Sequence, residues 1–66
     1  SENAIKIPDI ELQIQELELN HERKLLGRKR GKNQITPEDF RRETARIDAL
    51  LEAIKYKQNE SGSYSS

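Results

Sequence analysis

From Ile10 onward the apolar residues recur three or four positions apart, with polar residues between them, the spacing of a helix with a buried side. At about 100° per residue, Ile10, Ile14, Leu17, His21 and Leu25 fall within roughly 80° of one another. They predict one face of a first helix. Leu12, Leu19 and Leu26, spaced seven apart, form a second stripe on nearly the opposite side, and Ile5 extends it if the helix begins earlier. A helix in a monomeric hairpin needs one apolar stripe. Two opposed stripes call for two packing partners, a second helix of the same chain and another chain. Downstream, Phe40, Thr44, Ile47, Leu50, Leu51 and Ile54 share one face of a second helix. Its opposite side carries Ala45, Ala49 and Ala53, four apart, with Tyr56 close by. Small residues at that spacing allow close helix approach, although alanine is also the best helix former on a solvated face.

The punctuation between these patterns sets the boundaries. Pro8 suits the first turn of a helix, and Asp9 and Glu11 place negative charge near its N-terminus. Gly27, Gly31 or Asn33 could each supply a left-handed C-terminal residue. An end near Lys32 is expected, with Gly27 tolerated inside the helix at about 1 kcal/mol relative to alanine. Thr36-Pro37-Glu38-Asp39 reads as an N-cap, a proline at the first helical position and two acids. Thr36 would accept the Asp39 N–H while the Asp39 carboxylate reaches back, and Ile35 would pack on Phe40 as a hydrophobic staple. The expected organisation is a lead-in over 1–7, a helical hairpin over 8–57 and a disordered tail over 58–66. Within the hairpin the helices are expected at about 8–32 and 37–57. The link from Asn33 to Thr36 is too short for anything but antiparallel neighbours.

The fold class is therefore all-α, an antiparallel two-helix hairpin expected to dimerise into a four-helix bundle. Its inner face would be Ile10, Ile14, Leu17, His21 and Leu25 against Phe40, Ile47, Leu50, Leu51 and Ile54. Leu12, Leu19 and Leu26 would meet the other chain.

Composition sharpens the case for association. The chain has 66 residues, no cysteine and one histidine. One small domain of this size is marginal alone, and disulfides and a multi-histidine metal site are not available to it. Hydrophobic residues make up 32% and charged residues 36%, a border composition that the helical periodicity resolves toward structure. No apolar run is long enough to span a bilayer. The lack of cysteine is compatible with a reducing cytosol, so a cytoplasmic protein is expected.

Net charge is zero but unevenly placed. Residues 1–20 carry one base and five acids, residues 21–42 eight bases and three acids, and residues 43–66 three bases and four acids. Folding as a hairpin makes the basic part its tip. Arg23, Lys24, Arg28, Lys29, Arg30, Lys32, Arg41 and Arg42 are thus candidates for phosphate or other anion binding. No aromatic interleaves them, which argues against base stacking. Charge compensation at a helix C-terminus, or attraction to the acidic ends of another copy, explains the same residues. Catalysis is not expected, because no nucleophile, base pair or phosphate loop converges in the pattern. Glu18-Leu19-Asn20-His21 has the form of a helical metal motif, but the main face of the second helix offers no further carboxylates. No metal or cofactor is expected. His21 reads instead as a polar spacer within a helical interface.

Asn33-Gln34-Ile35-Thr36-Pro37-Glu38-Asp39-Phe40, followed by Arg42, Ile47 and Leu50-Leu51, resembles the SHOCT module, a short C-terminal domain found on bacterial and phage-related proteins. The resemblance runs from about Leu25 to Leu51. Asn33 stands where that family has glycine, the basic run is longer, and the first helix extends well beyond the module. The resemblance implies an interaction or oligomerisation module. The residues alone leave two alternatives, a nucleic-acid-binding accessory protein acting through the tip and a small helical inhibitor of a partner protein.

Overall fold

The computed structural model describes residues 9–61. The chain is an all-α hairpin of α1 (Ile10–Gly31) and α2 (Pro37–Ser61), packed against each other. The expected lead-in, Pro8 and residues 62–66 of the expected tail lie outside the described residues.

Asp9 is the N-cap of α1. Its backbone is extended and its Oδ1 accepts the Leu12 N–H at 3.2 Å. The acid expected inside the first turn thus stands one step before it, where a short acceptor satisfies an amide that has no partner within the helix. Arg28, Lys29 and Arg30 in the last turn complement the helix dipole.

Of the three candidates for the left-handed residue, the hairpin uses Asn33, at φ 57°. The Gln34 N–H donates to the Lys29 carbonyl at 2.8 Å and the Asn33 N–H to the Arg30 carbonyl at 3.2 Å. This is the double closure of a Schellman end, with asparagine in the usual place of glycine. Gly27 and Gly31 stay helical. Asn33→Ala is expected to cost about 1 kcal/mol, because alanine pays the left-handed penalty without asparagine's local hydrogen bonding. A thermal melt read by circular dichroism checks it.

The start of α2 follows its sequence signature in one direction only. Thr36 Oγ1 accepts the Asp39 N–H at 3.1 Å. The Asp39 carboxylate does not return the bond; it pairs with Arg42 one turn on. Aspartate is one methylene shorter than the usual glutamate, and a guanidinium stands within easy reach. Ile35 and Phe40 are both half-buried, as a staple requires. Thr36→Ala should lower stability by about 1 kcal/mol.

The core is a single seam. Leu12, Leu26, Ile47 and Ile54 are its buried side chains among the described residues. Leu19, Phe40, Thr44, Leu51 and Gln58 are half-buried beside them. On α2 the inward positions 40, 44, 47, 51, 54 and 58 alternate steps of four and three, the spacing of a coiled-coil face. Thr44 is tolerated there because its hydroxyl donates to the Phe40 carbonyl at 2.8 Å.

Two expectations are corrected. First, the faces of α1 are exchanged. Leu12, Leu19 and Leu26 meet α2, while Ile10, Ile14, Leu17 and Leu25 lie on the exposed side, and His21 with them. The seam of α2 holds Phe40, Ile47 and Ile54 at a spacing of seven, matched by Leu12, Leu19 and Leu26, and with this face inward Arg23 meets Asp48 and Glu22 meets Arg46 across the helices. Leu50, assigned to the inner face, is likewise exposed. Second, α2 does not stop near Lys57 but continues to Ser61. The Gln58 side-chain amide donates to Glu16 Oε1 at 3.3 Å, so α1 supplies a partner to this last stretch.

Candidate functional site

Three surfaces of the hairpin carry chemistry. The first is the polar border of the seam. Arg23 and Asp48 face each other across the helices, with Nε to Oδ1 at 3.1 Å and Nη2 to Oδ2 at 3.4 Å. Arg46 bridges Glu22 on α1 and Glu43 on its own helix. Its guanidinium is held above its ordinary value, first by the hydrogen bond to Glu22 and then by that to Glu43. These groups are exposed, so the pairs add little stability. Their contribution is to register: each opposed pair fits only one axial alignment of the two helices. Sequence reasoning missed this border. The available signal was that Glu16, Glu22 and Arg23 flank the Leu12, Leu19, Leu26 stripe.

The second surface is the outer side of α1. Ile10 is 60% exposed, Ile14 49%, Leu17 68% and Leu25 41%. Together with His21 they form a continuous apolar stripe running along most of α1, on the side away from α2. Fifteen residues of helix separate its ends, about 22 Å. Leu50, 43% exposed, lies apart from this stripe, in a groove it shares with Leu19 and Ile54. Isolated exposed leucines are ordinary on a protein surface, whereas an ordered stripe of them at helical spacing is the shape of a helix-docking face.

The third surface is the tip. Arg23, Arg42 and Arg46 are tied to carboxylates. Lys24, Arg28, Lys29, Arg30, Lys32 and Arg41 make no ion pair with another described residue. The hairpin brings the C-terminus of α1 and the N-terminus of α2 together, so the basic run and Arg41 and Arg42 share one end of the molecule.

Glu18 lines a groove on one flank of the hairpin with Leu50 and Lys57 of α2, and His21 is exposed. Among the described residues no group of three or more histidines and acids is gathered closely enough to hold a metal ion. No helix among them is long and apolar enough to cross a membrane. Comparisons with protein-family models, curated proteins and solved structures find no match to the chain. The geometry therefore carries the functional reading.

Proposed function

We propose that the chain is a non-enzymatic oligomerisation module whose contact surface is the outer face of α1. One observation carries this reading: Ile10, Ile14, Leu17 and Leu25 are 60%, 49%, 68% and 41% exposed on a face that the hairpin itself leaves uncovered. The size of the core supports it. A single seam with few fully buried side chains offers little to offset the entropy of ordering two long helices. Covering a second face by association adds what one chain lacks. The resemblance to the SHOCT module points to the same class. Sedimentation equilibrium over a range of loading concentrations, with circular dichroism on the same samples, tests the reading. A helical species of twice the chain mass is expected, giving way to the chain mass on dilution. A fully helical monomer at every concentration overturns it.

A second reading rests on the tip. Six cations without an ion-pair partner among the described residues would suit a phosphate backbone. A labelled DNA or RNA duplex, titrated at two salt concentrations, separates the two. Phosphate binding weakens steeply with salt, and no retained duplex at low salt removes this alternative.

A further inference from the structure

The uncovered face of α1 is matched by a charge pattern along the same helix. Residues 9–18 hold four acids and no base, and residues 23–32 hold six bases and no acid. The second helix does not cancel this. Residues 37–46, which fold back beside the basic end, carry three acids and three bases, and residues 47–61 three acids and two bases. The hairpin is a long rod with opposite charge at its two ends.

We infer that the face is covered by a second copy of this chain lying antiparallel on it, α1 against α1, with the two-fold axis beside Leu17. The inference rests on the oligomerisation reading and assigns the partner and its direction. A parallel pair would place six bases beside six bases along the contact. At ordinary ionic strength the screening length is about 10 Å, comparable to the spacing of two packed helices, so that repulsion is weakened but not abolished and grows as salt is lowered. An antiparallel pair places the acidic end of each copy beside the basic end of the other. It also centres the stripe on itself. With the axis between Leu17 and Glu18, Ile14 stands level with the partner's His21 and Ile10 level with the partner's Leu25, so each histidine faces an aliphatic residue rather than its own copy. The stripe lies on the side of α1 away from α2, so the four helices form a layer with both α1 helices in the middle and both α2 helices outside. Four aliphatic residues and the stems of their neighbours, counted from both copies, remove on the order of 1,000 Å² from water, the lower bound for a specific interface. The assembly is therefore a concentration-dependent dimer rather than an obligate one.

The chain has no cysteine, so single-cysteine variants report the geometry directly. Glu11 and Glu18 lie seven apart, on the same flank of the stripe. In an antiparallel pair Glu18 meets the partner's Glu18 beside the axis, while the two copies of Glu11 stand about 20 Å apart along the helix. Under mild oxidation Glu18→Cys is expected to form a disulfide-linked dimer and Glu11→Cys to stay uncrosslinked, with the helicity of both retained. In a parallel pair the two sites are equivalent and behave alike. The dissociation constant of the unmodified chain should also rise several-fold between 0.05 M and 0.3 M NaCl, as attraction between unlike ends is screened. Equal behaviour of the two cysteine variants, or tighter association at the higher salt, overturns the antiparallel arrangement and leaves oligomerisation standing. A chain that stays monomeric overturns both.

Discussion

Ile47→Asp is expected to abolish the cooperative thermal transition of the hairpin. Ile47 has no exposed surface and sits midway along the α2 seam, with Phe40 one heptad before it and Ile54 one heptad after. The substitution acts twice. It removes aliphatic volume from a packed site, a change that costs about 2–5 kcal/mol when the replacement is alanine. It also places a carboxylate where α1 offers leucines, and burial of an uncompensated charge adds several kcal/mol more. A single-seam hairpin has about 3–5 kcal/mol of stability to lose. Far-ultraviolet circular dichroism should show a mostly unfolded chain with no melting transition. Ile47→Val is the control: it should cost about 0.5–1.5 kcal/mol, lowering the midpoint by several degrees for a domain of this size while keeping the transition sharp. A native-like melt for Ile47→Asp would mean that this position is not the centre of the core.

The turn and the second helix were legible because their signals are local. Thr36 followed by Pro37 names a helix start through the chemistry of two adjacent residues. Asn33 is legible as a left-handed residue, although two glycines compete with it in the same run. The face of α2 was legible for a different reason. Its one broad apolar stripe has a single way to be buried, and only Leu50, at the margin of that stripe, is exposed.

The orientation of α1 was not legible, and the reason is physical. Its two stripes are both apolar and both helical in period. Counting apolar residues favours Ile10, Ile14, Leu17 and Leu25 over the three leucines at 12, 19 and 26. A count measures how much a face would gain from burial, not which face the second helix can reach. Reach is set by the turn and by the pitch of the contact, which are shared properties of both helices. The information was present in the pairing of the two: seven-spaced Leu12, Leu19 and Leu26 against seven-spaced Phe40, Ile47 and Ile54, with Glu22 able to meet Arg46 and Arg23 able to meet Asp48. The full length of α2 likewise depends on the pairing of the two helices. Gln58 to Ser61 are polar and read as tail when taken alone, yet opposite the first turns of α1 they have a surface to lie on.

The exchange of faces makes a pair of neighbouring leucines diagnostic. Leu17→Lys is expected to weaken association by more than 100-fold while leaving the hairpin's helicity at high concentration close to that of the unmodified chain. Leu17 is 68% exposed and turned away from α2, so nothing in the hairpin seam depends on it. Lysine is nearly as good a helix former as leucine. In the dimer the substitution occurs twice at the two-fold axis. Each copy loses part of the roughly 1.5–3 kcal/mol that burying a leucine contributes, and two like charges are brought together. A total near 3–4 kcal/mol corresponds to a change of 100-fold or more in the dissociation constant. Leu19→Lys, two residues along, puts the same change into the seam beside Ile54 and should instead unfold the hairpin at every concentration. Sedimentation and circular dichroism on both variants separate the roles: loss of mass without loss of helix at Leu17, loss of helix at Leu19. If Leu17→Lys associates as the unmodified chain does, the outer stripe is not the contact, whatever mass the unmodified chain shows.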